Sequence, residues 1–172
     1  MVKNKKAQFY ILIAVILVGI AFSIVQASET FKEPDQLFSQ LTENLEKESS
    51  NMINNAIYEE NVIEDEYNPF FISFIKFAKT RDPKFEAIYL LKNKDKITIY
   101  SEIKDAIVLK DGGSRINIYY QGTRSLTDKD IVTLTYNDID YDFNFNQKDV
   151  QLKILVISRK SGDLRIKLIN LS

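Results

Sequence analysis

The 172 residues carry 23 lysines and arginines against 24 aspartates and glutamates, with 45% hydrophobic and 27% charged side chains, no cysteine and no histidine. Those proportions are ordinary for a folded chain and unlike a disordered one. The missing cysteines exclude a disulfide framework, a thiolate metal centre and a cysteine nucleophile, and the missing histidines remove the usual general base near neutral pH and the commonest zinc ligand.

The first element in chain order is an apolar segment. Lys3, Lys5 and Lys6 stand before a stretch from Gln8 to Ser28 that holds no charged side chain and whose centre reads FYILIAVILVGIAF. A helix over those positions, rising about 1.5 Å per residue, reaches roughly 30 Å, close to the hydrocarbon thickness of a bilayer. The lysines precede the span and Glu29, Glu33 and Asp35 follow it, so the cytoplasmic bias of cations places the N-terminus inside and everything after Ser28 outside. Without the three leading lysines, 20 cations face 24 anions and no basic stripe remains, which argues against a nucleic-acid partner. The lipid bilayer is the expected partner.

Three readings of this leader stay open. Val25-Gln26-Ala27 supplies small residues for cleavage between Ala27 and Ser28, as in a secretory signal peptide. The apolar run from Phe9 through Val25 exceeds the usual signal core, which suits a permanent anchor. In Lys5-Lys6-Ala7-Gln8-Phe9-Tyr10, a basic pair, a small residue and a glutamine stand directly against the apolar run. That arrangement resembles the class III signal of archaeal type IV pilins and pilin-like proteins, which are processed before the hydrophobic stretch. The resemblance covers about the first 28 residues and the amphipathic segment after them. It implies cleavage between Ala7 and Gln8, a retained apolar helix that first holds the subunit in lipid, and later packing against copies of itself or other pilin-like subunits. Many pilins carry a glutamate a few residues into the mature helix; Leu12 stands there in this chain.

Beyond the leader, Thr30 and Glu33 fit capping-box spacing and Pro34 suits a first helical turn. Phe38, Leu41, Leu45, Met52 and Ala56 then recur at helical intervals, widened by Leu37, Ile53 and Ile57, which predicts an amphipathic helix to about Glu60. Packing of this stripe on the chain's own outer domain is the first expectation, and packing between subunits the second. The acidic group Glu59, Glu60, Glu64, Asp65 and Glu66 reads as a solvated connector, since it lacks the glycine turn and ligand spacing of a calcium loop. Asn68-Pro69 is expected to start a second helix, whose Phe70, Phe71, Phe74, Ile75, Phe77 and Ala78 need a cover before Arg81-Asp82-Pro83 stops it.

From Lys84 the period changes to two. The predicted strands are 85–91, 96–101, 106–110, 115–121, 131–136, 139–146, 150–159 and 163–170, joined by turn-forming segments such as Asp111-Gly112-Gly113 and Asn137-Asp138. Short reversals without intervening helices imply antiparallel neighbours. Asp138, Asp140, Asp142, Asn144 and Asn146 alternate with Ile139, Tyr141, Phe143 and Phe145; Phe143 occupies the position where a calcium loop needs glycine, so a solvated strand face is expected. Tyr119-Tyr120 with Thr123, Ser125 and Thr127 reads as a polar connection between strands. Ser73, Ser125 and Ser161 have no histidine partner, and no nucleophile-elbow or phosphate-loop motif is present, so no catalytic, cofactor or metal residues are assigned.

The expected fold class is therefore α+β: a basic leader 1–7, a transmembrane helix 8–28, a helical stalk region 29–83 with a short second helix, and an extracytoplasmic antiparallel sheet or sandwich over 84–172. The expected function is that of a membrane-anchored, pilin-like surface protein, structural or adhesive. The alternative is a binding module that does not polymerise.

Overall fold

The amphipathic stripe after Pro34 and the period-two patterning after Lys84 meet in one body. The computed structural model describes residues 34–171 apart from 112–113, 128–129, 147–148 and 161. Among these described residues two helices come first, α1 (Pro34–Tyr58) and α2 (Ile63–Arg81). Nine strands follow: β1 (Glu86–Asn93), β2 (Lys96–Ser101), β3 (Ile107–Asp111), β4 (Ser114–Ile118), β5 (Thr123–Thr127), β6 (Ile131–Tyr136), β7 (Ile139–Asn144), β8 (Val150–Lys160) and β9 (Asp163–Leu171). One sheet has the order β5-β2-β1-β8-β9 and the other β4-β3-β6-β7, with every neighbouring pair antiparallel.

The sheets pack face to face. Ile88, Leu90, Ile97, Ile99, Leu155 and Ile157 from the five-stranded sheet meet Leu109, Ile118, Val132, Leu134, Tyr136 and Phe143 from the four-stranded one in a single buried cluster. The other face of the five-stranded sheet is covered by the helices. Tyr89 of β1 lies edge-on to Tyr67 and Phe71 of α2, with ring centroids 5.0 and 4.9 Å away, and Phe38 of α1 meets Phe85 at 6.2 Å. Three layers result: helices, five strands, four strands. Alternation records this stacking. β1 and β8 are apolar almost throughout because both of their faces are covered, whereas β6 and β7 alternate because their outer face meets water.

Local signals fix the helix ends. α1 closes with Glu60 in the left-handed region (φ 57°), Asn61 N–H donating to the Ala56 carbonyl and Glu60 N–H to the Ile57 carbonyl, the paired bonds of a Schellman motif. The helices are tied by a buried hydrogen bond of 2.9 Å between the Ser49 and Tyr67 hydroxyls.

Several expectations are corrected. Among the described residues no helix is long and apolar enough to cross a membrane, and the span expected at 8–28 lies outside them, as do Lys3, Lys5, Lys6, Ala7, Gln8, Ala27 and Ser28. Among the described residues the fold is two helices layered on a two-sheet sandwich, with no membrane-capable helix and no separate stalk, which corrects the expected order of membrane helix, stalk and β head. α1 is no free stalk, since burying Leu41, Leu45, Ile53 and Ala56 removes more apolar surface from water than a solvated rod would allow. α2 begins at Ile63 rather than at Pro69, which sits inside it. Glu64, Asp65 and Glu66 form its first turn, where carboxylates oppose the positive end of the helix dipole, so this part of the expected connector is helical while Glu59 and Glu60 stay in the turn. Burial of Ile63, Tyr67, Phe71, Ile75 and Ala78 holds the helix through the proline's missing backbone donor. Thr123, Ser125 and Thr127 lie in a ninth strand, β5, at the edge of the larger sheet.

Candidate functional site

Antiparallel wiring gathers five connections at one end of the sandwich: α2 to β1, β2 to β3, β4 to β5, β6 to β7 and β8 to β9. Such loop clusters, positioned by a rigid scaffold, are where recognition residues concentrate. Side chains far apart in sequence converge there into two adjoining groups.

The first centres on Glu102, whose side chain is 5% exposed. Tyr100 donates its hydroxyl proton to Glu102 Oε1 at 2.8 Å, and Lys79 Nζ lies 3.6 Å from Oε2. The same ammonium sits 5.5 Å from the centre of the Tyr120 ring. Burial, with the Glu102 carboxylate second, pushes the Tyr100 phenol well above its ordinary value, and the same causes raise Tyr120. Tyr120 is presented by a tight turn in which Gly122 N–H donates to the Tyr119 carbonyl at 2.8 Å and Gln121 takes a left-handed φ of 55°. A Cβ at Gly122 would stand 2.7 Å from the Tyr119 carbonyl oxygen, so the turn requires glycine. Tyr119 and Tyr120 are both exposed.

The second group centres on Arg159 at the end of β8. Its guanidinium reaches Asp105 Oδ2 at 2.6 Å and donates to the Tyr136 hydroxyl at 2.5 Å. Burial pushes the Tyr136 phenol up to about 12, against the opposing pull of the Arg159 charge. Glu86, at the start of β1, joins the two groups electrostatically; burial raises its carboxyl above the usual range, offset by the Lys104 backbone N–H and by Lys79 and Arg159.

This rim is a set of phenols and ion pairs held by hydrogen bonds among themselves. The three phenols stay protonated at neutral pH, and Lys79 and Arg159 face the carboxylates of Glu102 and Asp105. Behind the rim, Ser158 donates to Asp82 Oδ2 at 2.5 Å and accepts from Arg165 at 2.9 Å, but Ser158 is fully buried and the triad ties β8, β9 and the end of α2 together. Among the described residues no group of three or more metal-ligating side chains is placed to hold an ion.

The other candidates named from sequence are dispersed. Asp140 and Asp142 share the outer face of β7, where they accept hydrogen bonds of 2.6 Å from Thr135 and Thr133, and Lys110 pairs with Asp140. Asp138 completes a two-residue hairpin with Asn137, both at positive φ, as a type I′ turn needs. Thr123, Ser125 and Thr127 line the exposed edge of β5. Glu86, Glu102, Asp105 and Arg159 escaped sequence reading because they span more than 70 residues without a shared local pattern. No protein-family model matches the chain, no curated protein is similar to it, and no solved structure matches its fold.

Proposed function

We propose that this is a membrane-held, pilin-like surface protein, structural or adhesive, whose sandwich faces outward as a recognition head. The observation that carries the reading is the uncharged segment 8–28 behind Lys3, Lys5 and Lys6, with Lys5-Lys6-Ala7-Gln8 abutting the apolar run. The head supports it: residues beyond Phe38 bury a hydrophobic core of their own, and the loop rim offers phenols and ion pairs suited to binding. The lipid bilayer is one partner, and copies of the chain or other pilin-like subunits are the others. A second reading, a surface or secreted binding module that never polymerises, is favoured by the exposure of Tyr119 and Tyr120 at the rim.

The test is the first residue of the native protein by mass spectrometry, with membranes extracted in alkaline carbonate. A chain beginning at Gln8 and retained in the membrane pellet is expected. A soluble chain beginning at Ser28 overturns the membrane-held reading, and a membrane-held chain beginning at Met1 overturns the pilin-like part of it.

A further inference from the structure

The four-stranded sheet ends in two unlike edges. On its outer face the residues stand in rows across the strands: Arg115 beside Lys110, Thr133 and Asp142, and Asn117 beside Val108, Thr135 and Asp140. Each row runs from a basic or amide side chain on the β4 edge to a carboxylate on the β7 edge. Lys110 is drawn toward Asp140, while Arg115 is exposed on the edge strand itself. No other described strand pairs with the free side of β4 or of β7.

We propose that these edges join head to tail between copies of this chain, β4 of one molecule adding to β7 of the next. The geometry that favours this is the parity of the sheet. Four strands that alternate in direction leave β4 and β7 antiparallel, so a copy moved sideways along the rows continues the antiparallel ladder. The five-stranded sheet lacks this property: its edges β5 and β9 run the same way, and a translated copy would meet it in parallel. Continuing the rows sets the register, with Arg115 opposite Asp142 and Asn117 opposite Asp140 on the outer face. The pleat then puts Ile116 opposite Tyr141 and Ile118 opposite Ile139 on the inner face. Ile139, an exposed apolar side chain in the single molecule, gains a cover. An opposite-charge pair and two apolar pairs thus fall in one register, with no like charges opposed.

Because the two surfaces differ, the contact is heterologous and builds an open array. Strand spacing gives a step of roughly 19 Å per copy, and sheet twist a rotation of roughly 80–100°. This association is separate from packing through the apolar leader and does not depend on the membrane reading.

The chain has no cysteine, so cross-linking tests the register directly. The full-length protein carrying both Arg115→Cys and Asp142→Cys is oxidised and run without reductant; a ladder of dimers, trimers and longer multimers is expected. Chains carrying only one of the substitutions should give no ladder, and mixing the two single variants should give the mixed dimer. Without cysteines, Arg115→Glu should weaken association about fivefold or more in analytical ultracentrifugation, and adding Asp142→Arg should restore it. Both positions are exposed, and circular dichroism of each variant serves as the check that it folds. The proposal is overturned if the double variant stays monomeric on oxidation, if a single variant dimerises as readily as the mixture, or if the charge swap restores nothing.

Discussion

If the helices are a structural layer of the sandwich, shaving Phe71 should melt the strands as well as the helix. The ring is fully buried, with centroids 4.9 Å from Tyr89 on β1, 6.3 Å from Tyr100 on β2 and 6.0 Å from Tyr67 beside it. Truncating a fully buried phenylalanine to alanine costs about 3–5 kcal/mol, transfer and cavity together. The upper part of that range applies to Phe71→Ala, because two of its neighbours are edge-on aromatic partners on strands that cannot follow the lost ring. At about 2–4 °C per kcal/mol for a domain of this size, the midpoint should fall by roughly 10 °C or more. With no tryptophan in the chain, unfolding is followed by tyrosine fluorescence and by far-UV circular dichroism, and both signals should shift together. Phe77→Ala, on the same helix but 51% exposed, is the control and should cost under about 1 kcal/mol. A Phe71→Ala protein whose strand signal melts at the wild-type temperature would refute the layered packing and restore an independent stalk.

Ser158→Ala should lower stability by about 1–3 kcal/mol, since it strips buried Asp82 and Arg165 of a shared partner; denaturant midpoints measure it, and an unchanged midpoint would dismiss the triad. Glu86, raised by burial, binds its proton more tightly in the folded domain than in the unfolded chain, so its contribution is full below the ordinary carboxyl pKa of 4.5 and is lost as pH rises through the folded value. Glu86→Gln should therefore gain on the wild type as pH climbs from about 4 to about 7, and a variant-minus-wild-type difference in Tm that falls over that interval would contradict the sign. Tyr67, Tyr89 and Tyr100 are also raised by burial, so their stabilisation is lost only above the ordinary phenol pKa of 10.0; a spectrophotometric titration should show a late phase that coincides with loss of circular dichroism. Glu60→Gly and Asp138→Gly, each relieving an L-residue of a left-handed φ, should each raise stability by roughly 0.5–1 kcal/mol in thermal melts, and a loss at either site would mean that its side chain does more than occupy the turn.

Local pattern carried the elements whose residues decide their own conformation. The 3.6-residue stripe from Phe38 to Ala56 marks α1, and apolar runs or period-two alternation bounded by turn chemistry mark every described strand except β5. β5 was hidden because Thr123-Arg124-Ser125-Leu126-Thr127 has one apolar side chain; a one-sided edge strand takes its ladder from β2, and no hydrophobic alternation announces it. The start of α2 departs from expectation for a related reason: Asn68-Pro69 is a strong local start signal, and the helix extends six residues ahead of Pro69 because of burial that only the assembled sheet provides.

The sequence by itself determined the helix and strand periods, the turn at Asn137-Asp138, the exclusion of thiol and imidazole chemistry, and the charge asymmetry around the apolar leader. Each depends on residues within a few positions of one another. Only the tertiary structure decided that β1 and β8 run through the middle of a doubly covered sheet, that Lys79, Glu102, Asp105 and Arg159 share one rim, and that the four-stranded sheet ends in a basic edge and an acidic one. Those relations join residues tens of positions apart, and strand order, which sets them, is chosen by the packing of whole layers and not by any local run of the chain.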